Sequence, residues 1–119
     1  MDCIFCKIIA GEIPSYKLYE DDYVYVFLDI NPETSGHTLV IPKVHTLDVD
    51  SIDNDTLIHI VDVARKIKAL LEEKLGCDGI KLLQNNGDLQ EVKHYHLHLI
   101  PYYKNDKNLS VEEAYELLK

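Results

Sequence analysis

The stretch HYHLHLIP, His94 to Pro101, sets three histidines at every second position, with Tyr95, Leu97 and Leu99 alternating among them. Three of the chain's six histidines therefore fall within five consecutive residues. On an extended strand, alternate residues share a side and repeat every 6.6–6.8 Å or about that. The spacing predicts that His94, His96 and His98 project together while Tyr95, Leu97 and Leu99 turn to a buried face. Histidine is not a favoured strand residue, and burial costs a ring its hydrogen-bond partners. Besides a histidine-rich outer face, two chemical readings fit. The strip can bind a metal, or one imidazole can act as a nucleophile while its neighbours orient it and bind the charge that develops. His96 has a histidine on each side and suits the second role. Spacing alone leaves both open.

Outward from this strip, the chain reads as five strands around one long helix. "YKLYED" is a short strand ending in an acidic turn, and "YVYVFLD" alternates, with Val24, Val26 and Leu28 on one face and Tyr25, Phe27 and Asp29 on the other. "INPETSG" is a loop and "HTLVIP" a third strand closed by Pro42. Between Asp55 and Leu75 the period changes. Leu57, Ile60, Val61, Ala64, Ile67, Leu71 and Leu75 follow helical spacing, with Asp53 or Asp55 as N-cap and Gly76 as the stop. "GIKLLQN" and the histidine strip are the fourth and fifth strands. Short helices begin at Asp2 and, behind the N-cap Ser110, at "SVEEAYELL". The pattern predicts an α+β fold with a mostly antiparallel five-stranded sheet in one domain, residues 1–119.

A chain of 119 residues supports one core. Its formal charge of −9 and scattered Lys and Arg argue against a nucleic-acid polymer as partner, though not against a small phosphorylated ligand. No apolar run approaches the roughly 20 residues that span a bilayer. The N-terminus lacks a basic start and a long apolar run, so a cytoplasmic protein without membrane attachment is expected. Three cysteines, an odd number, argue against a disulfide framework. Cys77 beside Gly76 reads as a small apolar filler. Cys3 and Cys6 fit half of a tetrahedral zinc site, a redox pair, or two buried small residues. The redox reading lacks the preceding strand of a thioredoxin-like pattern.

Four blocks, "CIFCKIIAGEIP", "FLDINPETSGHTLVIPKVH", "QNNG" and "VKHYHLHLIP", together resemble the histidine-triad (HIT) superfamily near its Hint and Fhit branches, in the bacterial type with a Cys-x-x-Cys zinc motif. They run in order from about residue 2 to residue 103 and cover most of the chain. The resemblance implies a single HIT domain, a two-fold homodimer, and a hydrolase that acts at the α-phosphate of purine nucleotides. It implies His96 as the nucleophile, His98 as the contact to the phosphate and His37 as the supporting histidine. It places Asp29 at the ribose and Phe5, Ile8, Ile13 and Ile30 around the base. Asn85 matches a polar residue beside the phosphate, and Gln90 one on the leaving-group side. Structural zinc is implied at Cys3, Cys6, His45 and His94, with no catalytic metal. In that reading His94 serves structure while His96 and His98 serve chemistry.

The match departs from the family pattern in the loop before the strip. "NNGDLQEVKH" is about two residues short, Leu89 replaces a glycine whose backbone approaches the phosphate, and Glu91 replaces a Ser or Thr. A carboxylate at residue 91 repels an anionic leaving group and tolerates a cationic amine. The expectation is release of a purine nucleoside monophosphate, AMP foremost, from phosphoramidates or related nucleotidyl conjugates. The alternatives are a dinucleoside polyphosphate hydrolase and a weakly active nucleotide-binding scaffold dimer. Tyr102 replaces an expected Arg, and His59 reads as a surface or dimer-interface residue.

Overall fold

The computed structural model describes residues 2–119. Its elements are α1 (Ile4–Ile9), β1 (Lys17–Glu20), β2 (Val24–Leu28), β3 (Thr38–Pro42), α2 (Asn54–Leu75), β4 (Gly79–Gln84), β5 (Leu97–Tyr102) and α3 (Val111–Leu118), with a 3-10 turn at Gly87–Leu89. The five strands form one sheet in the order β1-β2-β3-β5-β4, and every pairing is antiparallel. This is the α+β arrangement that the sequence predicts.

Both faces of the sheet are covered. Val24, Val26, Leu28, Val40 and Leu99 pack under α2 and α3 against Ile60, Val63, Ala64, Ile67, Leu71, Ala114 and Leu118. On the other face Tyr25, Phe27, Leu39 and Ile41 pack against Cys3, Phe5 and Ile8 of the α1 region. Every residue of β2 and β3 is consequently buried. Two alternating sets of side chains serve two different cores, which is why these strands read as nearly continuous apolar runs.

α2 starts where Asp53 accepts a hydrogen bond from the Thr56 N–H at 2.7 Å, and it ends at Gly76, which takes the left-handed conformation. Its buried stripe is rotated slightly from the expected one. Val63 is buried, whereas Val61 is 42% exposed. α3 carries a full capping box between Ser110 and Glu113. His59, on α2, is held by Asp21 of the β1–β2 turn at 2.7 Å, and Cys77 is half-buried.

The largest difference from expectation is at β5, which begins at Leu97 rather than His94. β3 pairs with it only from Leu97 to Leu99. Upstream, the Tyr95 N–H donates instead to the Thr46 carbonyl at 2.6 Å, so residues 92–96 follow the loop beyond Pro42. The alternation survives this change of partner. Tyr95 and Leu99 lie in the core under α2, and the three histidines face the other way.

Candidate active site and metal centre

His94 is fully buried, and its Nε2 lies 2.8 Å from the Pro42 carbonyl oxygen. A carbonyl only accepts, so the ring's proton sits on Nε2 and the lone pair on Nδ1. That lone pair faces Cys3 Sγ at 3.4 Å and Cys6 Sγ at 3.6 Å, while His45 Nδ1 lies 3.4 Å from Cys6 Sγ. All four ligand atoms lie within 4.8 Å of one another. Tetrahedral zinc with its usual bond lengths sets sulfur and nitrogen about 3.6 Å apart, so the set fits that ion closely. The carbonyl behind His94 is the outer partner that metal-ligating imidazoles usually have. Burial, and then the neighbouring Cys3, raise the Cys6 thiol above its ordinary pKa. A divalent cation among the four reverses that and favours thiolate.

The remaining histidines of the strip are wired differently. His96 Nδ1 lies 2.7 Å from the His94 carbonyl, so it donates there and leaves a lone pair on Nε2. The Phe5 ring packs edge-on against His96 with centroids 5.1 Å apart, which restricts its rotation. His37 Nδ1 accepts the Glu33 N–H at 3.0 Å, so its proton is on Nε2. That proton is donated to His98 Nδ1 at 2.9 Å. His98 therefore carries its own proton on Nε2, a buried atom without a hydrogen-bond partner among the described residues.

Burial lowers the pKa values of both relay rings. His98 falls to about 4, with His96 and His37 adding to the effect, and for His37 the carboxylates of Asp29 and Glu33 oppose the shift. Both shifts favour the neutral rings at pH 7, and a neighbour on one nitrogen of each ring fixes which nitrogen carries the proton. Asp29, His37 and His98 also bring three possible ligand atoms close together. Here, however, the His37 nitrogen that faces the group is a donor. Turning it into a metal ligand would set a protonated Nδ1 against the Glu33 N–H. The Glu33 N–H, His37 and His98 form a hydrogen-bond relay, with Asp29 Oδ2 standing 3.6 Å from His37 Nε2 beside it.

His96 and His98 open onto a cavity of about 190 Å³, walled by Phe5, Ile8, Ile13, Ile30, Phe27 and Leu39. Asp29 stands on its rim with Oδ1 accepting the Asn31 N–H at 2.9 Å. The predicted residues Phe5, Ile8, Ile13, Asp29, Ile30, His96 and His98 thus come together, with His37 directly behind His98. Asn85 and Gln90 do not join them. The Gln90 amide is buried and donates to the Leu47 carbonyl at 2.6 Å, so it anchors the loop before the strip. The Asn85 carbonyl accepts from Gln84, and its side chain is not part of the cavity wall.

Ile4, Phe27 and Val92 line the cavity without having been singled out as site residues. For Phe27 the alternation of β2 held the signal, since it shares a face with Asp29. The Glu33 N–H that fixes the relay is a backbone group and leaves no trace in residue identity. Glu91 also lines the cavity, and no Lys or Arg does.

In chemical terms the site joins an imidazole that lines the cavity, its Nδ1 held by the His94 carbonyl, to an adjacent N–H donor that has no partner among the described residues. Comparisons with other proteins agree with this fold. A model of the HIT domain matches residues 10–105. A HIT-like protein of Methanocaldococcus jannaschii is 44% identical over 98% of this chain and 98% of its own length. The adenosine 5'-monophosphoramidase of Saccharomyces cerevisiae is 46% identical over 83% of this chain and 61% of its own. A zinc-bound histidine triad family protein from Mycobacterium smegmatis superposes with a TM-score of 0.91 at 38% identity, covering 99% of this chain and 91% of that one. The chain belongs to the HIT domain family.

Proposed function

We propose that the protein is a nucleotide-binding hydrolase that releases a purine nucleoside monophosphate, AMP foremost, from phosphoramidates through a nucleotidyl group carried on His96. The observation that carries this reading is the pairing of the His96 Nε2 lone pair with the unpartnered N–H of His98. In the reaction His96 Nε2 forms a bond to the α-phosphorus, the phosphorus–nitrogen bond breaks, and the amine departs with a proton taken from solvent, which the water of the next step returns. Water then attacks the phosphorus, the His96 bond breaks, and the monophosphate is released. His98 Nε2–H binds a phosphate oxygen as negative charge builds, without reorganising at that moment. Asp29 accepts from the ribose hydroxyls, and Phe5, Ile8, Ile13 and Ile30 enclose the purine.

Glu91 and the absence of Lys and Arg from the cavity wall favour an amine over a polyphosphate as leaving group. The phosphoramidase among the relatives supports the same choice. A dinucleoside polyphosphate hydrolase is the second reading. Zinc at Cys3, Cys6, His45 and His94 would tie α1 and the loop after β3 to the strip as a closed four-ligand site that supplies no reacting group.

A homodimer through the open edge of β4 is part of the proposal. It is supported by Leu82 on that strand, 52% exposed, and by Ile58 of α2, 61% exposed. A cytoplasmic location fits the fact that, among the described residues, no helix is long and apolar enough to cross a membrane. The test is turnover of a fluorogenic adenosine phosphoramidate by wild type and His96→Ala. Activity lost in the variant is expected. A folded wild type that binds AMP without turning the substrate over would favour a binding scaffold.

A further inference from the structure

His37 immediately precedes β3 and its carbonyl accepts the Asp29 N–H at 3.0 Å, whereas the turn that leads into it belongs to no regular element. His37 closes the turn from Pro32 to Gly36, and its N–H donates to the Thr34 carbonyl at 3.2 Å. A turn of this kind is free to swing unless something outside it fixes it. The segment that follows β5 does so. Thr34 Oγ1 donates to the Pro101 carbonyl at 2.5 Å, and the Tyr103 hydroxyl donates to the Ser35 carbonyl at 2.5 Å. The Asp106 carboxylate accepts both the Ser35 N–H at 3.2 Å and the Ser35 hydroxyl at 2.6 Å. The Leu109 N–H closes the network on Ser35 Oγ at 2.8 Å. Ser35 is only 5% exposed, so these bonds form away from bulk water, where each loss leaves a buried polar group unpaired.

The arrangement constrains more than the loop. Gly36, between Ser35 and His37, has φ +85°, and a Cβ there would run into Leu75 of α2. The chain thus reaches His37 by one narrow path, pinned at Ser35 from outside and closed off by Leu75 from below. The direction of the His37 Nε2–H bond then depends on that pin, and through it so does the orientation of the His98 ring.

We propose that Asp106 and Tyr103 are positioning residues for the active site: by strapping Ser35 they hold His37 so that its Nε2–H meets His98, which aims the His98 N–H at the reacting phosphate. The proposal rests on the reading of His96 as nucleophile. Neither strap residue touches the cavity, so their effect falls on the chemical step and spares the apolar grip on the base.

The experiment compares wild type with Asp106→Ala, Asp106→Asn, Tyr103→Phe and the double variant Ser35→Ala/Asp106→Ala. It measures kcat, AMP affinity, thermal melting, and the proton NMR signal of the hydrogen bond between His37 and His98. Misplacing a reacting group by a fraction of an ångström lowers rate steeply, so Asp106→Ala should lose about tenfold or more in kcat while AMP affinity changes about twofold or less. The bridging-proton signal should broaden or vanish. Asp106→Asn keeps one acceptor oxygen and should fall between the two. Adding Ser35→Ala should cost little further, because both changes break one network.

The proposal is overturned if folded Asp106→Ala keeps both kcat and the bridging proton. It is equally overturned if kcat and AMP affinity fall together in proportion to the unfolded fraction. If no protein turns over, the NMR signal alone decides the strap, and the failure belongs to the reading of His96.

Discussion

Two clusters of side chains share the strip from His94 to His98, and residues of the same type do opposite things in them. Around His94, lone pairs converge: Nδ1 of His94, Nδ1 of His45 and two sulfurs face one point, and the proton of His94 is turned away onto Pro42. Around His98, protons and lone pairs run head to tail, from the Glu33 N–H through His37 to an N–H that ends without a partner. A site whose acceptors all face inward calls for a cation. A site that ends in a donor calls for an anion. Residue type and proximity do not separate the two, since Asp29, His37 and His98 also lie close enough for a metal. The backbone groups behind each ring separate them, because a fixed carbonyl or N–H decides which nitrogen carries the proton.

The sharpest way to break this comparison is to exchange the roles of neighbouring histidines. Changing His96 to Ala removes the only group assigned to attack, and kcat should fall by roughly a thousandfold or more while the metal content is unchanged, as seen by elemental analysis. Changing His94 to Ala should do the reverse first: it removes a proposed metal ligand, and the melting temperature should fall well before any effect on chemistry is measured in the surviving folded protein.

Removing the metal itself tests the structural half. In the proposed zinc site, four ligands would cross-link α1 to the loop after β3, and metal bound there would contribute folding free energy directly. A chelator or Cys3→Ser should lower the melting temperature by about ten degrees or more, with about one zinc per chain recovered from the untreated protein. Retention of full stability without metal would contradict this.

On the chemical side, His98→Ala deletes one donor to the phosphate and should cost about 10²–10³ in kcat. The relay also has a pH signature. His98 has a folded pKa near 4 against an ordinary value of 6.5, so the unfolded chain binds more protons between those two pH values. Its contribution to stability is fully present above pH 6.5 and is lost as pH falls toward 4, which denaturant titrations at several pH values would read. His37→Ala opens the pocket behind His98 to water and should narrow that window.

The smallest effect concerns the rim. Glu91→Ser should improve dinucleoside polyphosphates relative to phosphoramidates by about tenfold at most, the scale of one screened charge. No change in the ratio of kcat/KM values would remove the argument from charge.

Much of this was legible from residues alone. Alternation gave β2 and the split between Tyr95, Leu97 and Leu99 on one side and the histidines on the other, because a two-residue period survives even where β5 has not yet begun. The helix period and its caps gave α2 to within one residue at its start. The burial of β2 on both faces was not legible, since a strand with two cores and a strand with one differ only in how apolar the second face is. Nor was the place of Gln90: its type suits a ligand contact, and only the loop path reveals that its side-chain N–H donates to the Leu47 carbonyl. The relay through Glu33 depends on a backbone N–H, and the strap on Ser35 joins backbone groups to side chains about 70 residues away in sequence, a pairing that no local pattern marks.

The central claim is that one histidine of the strip belongs to a metal and the next to the phosphate. The most direct measurement is peptide mass mapping, under alkaline conditions, of the rapidly quenched nucleotidyl adduct formed after mixing zinc-replete protein with an adenosine phosphoramidate. The account predicts a single adduct on the peptide that holds the strip, absent in His96→Ala and present in His94→Ala that remains folded. An adduct that persists in His96→Ala, or maps to His98, would contradict it.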